Sequence, residues 1–147
     1  MTVIAWDGKT LAADRQITNI GYKSSCVKIK RSRGHLIFCA GESGISEALF
    51  DWFDKGADPA KFPDAQKTDK FEYLCAINPA RQIIKFSHTP FPYIIRDRFY
   101  ATGCGRDYAV AAMHLGHSAV QAVKVACKLD AFCGMGIDTL TLRKRSR

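Results

Sequence analysis

The stretch VIAWDGKTLAAD near the start of the chain constrains the fold most. Two short apolar runs flank Asp7-Gly8, and that combination predicts a hairpin closed by a type I′ turn. A chain that opens on two core-quality strands must build a sheet around them. GYKSSCVKIK reads as a further strand, RSRG as a turn, and HLIFCA as a continuous apolar run suited to a strand covered on both faces. The first 40 residues therefore read as a strand meander.

The period then changes. In SGISEALFDWFDKG, Ile45, Leu49, Trp52 and Phe53 fall on one helical stripe, with Ser43 placed to cap the start and Gly56 to stop the helix. Phe50 lies off that stripe and is free to meet a neighbour. Residues 57–70 are polar and proline-bearing, a surface loop. FEYLCAI and RQIIKF flank NPA as a second hairpin, and FPYIIRDRFYATGCG holds one or two short strands. RDYAVAAMHLG reads as a helix with Tyr108, Ala111, Ala112 and Leu115 on one face. SAVQAVKVACKL reads as another, with Ser118 and Gln121 at capping-box spacing, and GIDTLTL as a last strand. Strands, helix, strands, two helices, strand is the order of an α+β fold in which helices cover two sheets. At 147 residues the chain is expected to be a single domain, 1–147, with a short basic tail at 143–147.

Several function classes fall away on composition. No apolar run approaches the roughly 20 residues that span a bilayer, and the start lacks a secretory pattern, so a cytoplasmic protein is expected. The six cysteines, at 26, 39, 75, 104, 127 and 133, form no C-x-x-C pair, so neither zinc nor a disulfide framework is expected. Cys39, Cys75 and Cys127 read as small buried hydrophobes. His114 and His117 stand three apart without a carboxylate signature and read as surface or helix-end contacts. GCGRD lacks the Lys-Ser/Thr of a phosphate loop, so no cofactor is expected. The net charge of +8 concentrates in KIKRSR and RKRSR. Neither run interleaves aromatics for base stacking, so both read as solvated surface rather than a nucleic-acid site.

Thr2 carries the positive functional reading. Removal of Met1 would make Thr2 the first residue, and its own α-amine, with a reference pKa of about 7.7–8.0, could then serve as base for its hydroxyl. A neighbouring lysine would lower that pKa by like-charge repulsion, and an acid would hold the lysine in place. The chemistry needs a threonine at the end of a rigid strand, a lysine, an aspartate and a backbone oxyanion donor, and no histidine.

TVIAWDGKTLAADRQIT resembles the N-terminus of proteasome β-type subunits, and most of all the bacterial HslV peptidase, members of the N-terminal nucleophile (Ntn) hydrolases. The resemblance implies Thr2 as nucleophile and Asp14 as the acid. CVKIK resembles the lysine-bearing strand and puts the catalytic lysine at Lys28. LIFCAGESG resembles the strand that ends in the oxyanion-hole glycine, Gly41. YATGCGRDYAVAA and DAFCGMGIDTLTL resemble two later segments, with Cys104 and Cys133 at serine positions and Asp130 at the aspartate position. The fold that the resemblance implies is a four-layer αββα sandwich of two stacked antiparallel sheets. It also implies a homo-oligomeric ring around a polypeptide substrate, fed by an ATP-dependent unfoldase partner. The rival reading is a proteasome-fold assembly or binding protein that keeps Met1, lacks catalysis and contacts an acidic partner through its basic tail.

Overall fold

The computed structural model describes residues 1–63 and 73–144. The loop expected at 57–70 and the tail at 143–147 lie partly outside the described residues. The first elements are β1 (Val3–Trp6), β2 (Thr10–Asp14), β3 (Gln16–Asn19), β4 (Tyr22–Ser25), β5 (Ile29–Ser32), β6 (His35–Ala40) and α1 (Ser43–Asp54). They are followed by β7 (Tyr73–Ile77), β8 (Ile83–Phe86), β9 (Tyr93–Ile95), β10 (Tyr100–Gly103), α2 (Arg106–His114), α3 (Ala119–Leu129) and β11 (Ile137–Thr141). The α+β class expected from the element order is what is observed. The described strands form three antiparallel sheets rather than two, because β3 and β4 pair only with each other. No described helix is long and apolar enough to cross a membrane.

Contacts divide the chain into two compact units, Met1–Ile29 with Asp97–Arg147, and Lys30–Arg96. In the first, a four-stranded sheet runs in the order β10-β1-β2-β11. Helices α2 and α3 pack on it through Val3, Ala5, Ala12 and Ala101 from the strands and Ala109, Ala112, Met113, Ala122, Val123 and Ala126 from the helices. Alanine on both sides of this layer lets helix and sheet backbones approach closely. Burying Met113 and Val123 completely contributes about 1.5–3 kcal/mol each relative to exposure. The buried face of α2 is therefore Ala109, Ala112 and Met113, of which only Ala112 was expected. Tyr108 and Leu115 point to solvent.

The opening hairpin forms, but its turn differs from expectation. β1 ends at Trp6 and β2 begins at Thr10, so three residues connect the strands, and of these Gly8 takes a positive φ of 91°. Asp7 explains the longer turn. Its Oδ1 accepts from the backbone N–H of Lys9 and Thr10, and its Oδ2 accepts from Ala119 N at 2.8 Å, at the start of α3. One carboxylate thus anchors both the turn and a helix N-terminus, where negative charge is favoured. The Ser118–Gln121 capping box completes that helix start as expected. His114 is the last residue of α2 and meets Phe99 edge-on.

In the second unit the sheet order is β5-β6-β7-β8-β9, and α1 packs on β6 and β7. Its core joins Ile37, Cys39, Leu74, Ala76 and Phe86 to Leu49, Phe50, Trp52 and Phe53 of the helix. Phe50, expected to be free, is buried in this cluster, with Lys30 Nζ 4.7 Å from its ring centre. Glu42, not Ser43, is the residue before the first helical turn, and it makes no side-chain cap.

Candidate active site

The register of the four-stranded sheet builds the site. Adjacent strands are antiparallel, so the start of β1, the ends of β2 and β10 and the start of β11 lie at one end of the sheet. Val3 pairs with Gly103, Ile4 with Ala13, and Ile137 with Asp14. Thr2, just before β1, is buried at this end.

Asp14 is the hub. It is fully buried, and each carboxylate oxygen takes two donors. Oδ1 accepts from Val3 N at 3.0 Å and Lys28 Nζ at 2.7 Å, and Oδ2 accepts from Gln16 N at 3.2 Å and Gly134 N at 3.0 Å. A buried carboxylate is tolerable only when its lone pairs are satisfied in this way. Arg15, between Asp14 and Gln16, points outward and pairs with Asp138 at 2.6 Å. That pairing raises the Arg15 pKa above its ordinary value, chiefly through the hydrogen bond.

Lys28 lies just before β5, not within a strand as expected, and its side chain is 6% exposed. Besides Asp14 it donates to Gln16 O at 2.6 Å and Met1 O at 2.9 Å. All three ammonium protons therefore have acceptors. Met1 O belongs to the peptide bond that links Met1 to Thr2, so the ammonium stands beside the position of the Thr2 amine.

On the other side, the Thr2 carbonyl accepts from Gly105 N at 3.3 Å and from the Cys104 thiol at 3.4 Å. Gly103 is indispensable to that approach. Its φ is 90°, and a Cβ there would come within 2.0 Å of the Thr2 oxygen. Cys104 is exposed and Cys133 buried, with their sulfurs 3.6 Å apart. Asp130 directly follows α3, and its Oδ1 accepts from Phe132 N at 2.9 Å. The ligand atoms of Cys104, Asp130 and Cys133 lie within 4.8 Å of one another, so this trio is the group among the described residues that could hold a metal ion. Sequence spacing hid it, because Cys104 is far along the chain from the other two.

The two thiols titrate differently. A hydrogen bond from Cys133, the largest influence, outweighs burial and lowers the Cys104 pKa to about 7. The same hydrogen bond, then burial, pushes Cys133 up. Cys127, half-buried rather than fully buried, is raised to about 11, first by desolvation.

Of the expected residues, Thr2, Asp14, Lys28, Cys104, Asp130 and Cys133 all belong to the first unit. Gly41 belongs to the second, directly after β6, with φ 145°. Sequence reasoning missed Gln16, whose backbone holds both Asp14 and Lys28 and whose Nε2 donates to Ala131 O at 3.0 Å. It also missed Gly134 N. The signal for Gln16 was present in the DRQIT segment. Gly134 offered none beyond its place beside Cys133.

No family model matches the chain, and no curated protein does either. Solved structures do match in fold. BPH of Thiobacillus denitrificans in complex with epoxomicin superposes with a TM-score of 0.69 at 19% identity, covering 98% of this chain and 100% of that one. A second structure of Thiobacillus denitrificans BPH gives 0.69 at 20% identity, with coverage of 97% and 98%. The Anbu (Gly-1) mutant from Hyphomicrobium sp. strain MC1 gives 0.69 at 11% identity, covering 96% of this chain and 81% of that one. These neighbours correct the resemblance seen in the sequence. The three are BPH and Anbu proteins, proteasome-like relatives of a family distinct from the proteasome β-type and HslV line, and none of the three is an HslV.

Proposed function

We propose that this chain is an Ntn-type hydrolase, a threonine peptidase whose nucleophile is the Thr2 hydroxyl once the bond preceding Thr2 is cut. The observation that carries the reading is the position of Lys28. Its Nζ lies 2.9 Å from Met1 O while Asp14 holds it at 2.7 Å from the other side. Cutting the Met1–Thr2 bond removes that acceptor and leaves a buried ammonium donor facing the new amine.

In this reading the Thr2 amine takes the hydroxyl proton as the oxygen attacks a peptide carbonyl, and returns it to the leaving amine. Water then hydrolyses the resulting ester. Lys28 keeps the amine in its neutral, basic form, and Asp14 and Gln16 fix Lys28. Cys104 and Gly105 orient Thr2 through its carbonyl, and Asp130 and Cys133 support Cys104. Gly41, expected as the oxyanion donor, belongs to the second unit and is given no role. The likeness to BPH, one structure of which is a complex with epoxomicin, supports both the Ntn reading and the αββα sandwich as its framework.

Labelling decides the matter. Intact mass first establishes whether Met1 is lost, and an epoxyketone should then add to Thr2, as located by peptide mapping. A protein that keeps Met1 and takes no label is the non-catalytic assembly protein instead. Oligomerisation belongs to the same proposal. With Phe50 buried, its support moves to the edge strand β9, where Tyr93 and Ile94 are exposed, and to Phe91, exposed just before it. A light-scattering mass of 16.3 kDa at micromolar concentration would remove it.

A further inference from the structure

We propose that Cys104 and Cys133 form a peroxide-responsive thiol pair, closing to a disulfide that switches off the Thr2 site. The modification stands on the thiols alone; the switching rests on the peptidase reading above.

Two observations converge. The sulfurs touch at 3.6 Å, so closure to an S–S bond needs about 1.5 Å of approach. One partner is exposed and the other buried, the arrangement of an attacking and a resolving thiol.

The step balances with a hydroperoxide as oxidant. The Cys104 thiolate attacks one peroxide oxygen, the O–O bond breaks, and the leaving alkoxide or hydroxide takes a proton. Cys104 is then a sulfenic acid. The Cys133 sulfur attacks the Cys104 sulfur, the S–S bond forms and the S–O bond breaks, and hydroxide leaves with the Cys133 proton as water. The two thiols together lose two electrons, which reduce the peroxide.

The pair is wired to both supports of Thr2. Cys104 donates to the Thr2 carbonyl at 3.4 Å, and Cys133 precedes Gly134, whose N–H holds Asp14 at 3.0 Å. Drawing the sulfurs together pulls on the segments that position Thr2 and Asp14. Gly105 leaves little slack, since a Cβ there would meet Val3 and Cys133 within 3.0 Å.

The test uses the processed full chain. Reduced protein is treated with stoichiometric hydrogen peroxide, alkylated and digested with trypsin. We expect peptides 99–106 and 129–143 joined by a link that dithiothreitol reverses, and no such link in C104S or C133S protein. C104S changes an exposed residue, so it covers the case in which C133S fails to fold. Epoxyketone labelling of Thr2 should fall at least tenfold in the oxidised wild-type protein and return on reduction. Irreversible sulfinic acid at Cys104, a link to another cysteine, or zinc bound to the pair and blocking oxidation would overturn the thiol pair. A mapped link with unchanged labelling would overturn the switch. A mapped link in a protein that takes no label even when reduced would support the pair and defeat the peptidase reading instead.

Discussion

Lys28 and Lys30 are two positions apart, and each pairs with a carboxylate at 2.7 Å. The distance is the same and the consequences differ. Lys28 and Asp14 are 6% and 0% exposed in their side chains, whereas Lys30 and Glu47 are 37% and 61% exposed. In water the second pair gains little, because solvent screens it and two long side chains lose freedom to hold it. The first has left water altogether, and its attraction must offset a large desolvation cost. Such a pair is poor evidence for stability and better evidence for a site. The buried ammonium also reaches Met1 O, the carbonyl of the peptide bond that precedes Thr2.

The sharpest break in this comparison comes from chemistry. Thr2→Ala should lower peptide cleavage by about three orders of magnitude or more. Circular dichroism and melting should be close to wild type, since the backbone bonds of Thr2 remain. Residual cleavage near the wild-type rate would show that the buried pair serves some other nucleophile.

Lys28→Ala comes next. It should be inactive and should lose about 3–5 kcal/mol in urea unfolding, because Asp14 is left as a buried, uncompensated charge. Adding Asp14→Leu to it sharpens the point. An ordinary buried ion pair is often replaceable by apolar residues, but here Val3, Gln16 and Gly134 would each lose an acceptor. The double variant should therefore stay destabilised, at about 1–3 kcal/mol for each stranded N–H. Full recovery would mean that the backbone donors find other acceptors.

The same contrast of surroundings extends to thiols. Cys104, with a pKa near 7, should alkylate with iodoacetamide at a rate that rises through neutral pH and levels off above it. Cys127, raised to about 11, should still be mostly thiol at pH 8. Its greater intrinsic nucleophilicity offsets part of the difference, leaving Cys104 about tenfold faster or more. Mass spectrometry of time-quenched samples reads this, and equal rates would refute the assigned environments.

The smallest effect belongs to the exposed pair. Lys30→Ala should cost about 1 kcal/mol or less in urea unfolding and leave cleavage unchanged. Its ring contact with Phe50 is the main reason to expect any loss. A cost equal to that of Lys28→Ala would erase the distinction between the buried and the exposed pair.

Much of the fold was legible because it is local. The period of LFDWF marks a helix, HLIFCA marks a doubly covered strand, and Ser118 to Gln121 marks a helix start. Each depends on residues within a turn or two. Local reading erred where a distant partner decided the outcome. Asp7 did not make a type I′ turn because its carboxylate is shared with Ala119 N. The sheet packed on α2 selected Ala109, Ala112 and Met113 over the larger Tyr108 and Leu115. Phe50 was recruited by the core of the second unit.

The site divides in the same way. The sequence by itself determined the chemical candidates, since Thr2, Asp14 and Lys28 are recognisable from residue type, order and spacing. Only the tertiary structure decided that Lys28 reaches Met1 O, that Gly134 holds Asp14 across 120 positions, and that Cys104 meets Thr2 across 102. The physical reason is that antiparallel register, set along whole strands by core packing, brings remote strand ends together. A one-residue slip in any of those pairings would turn Asp14 from the buried face, and nothing local to Asp14 forbids it.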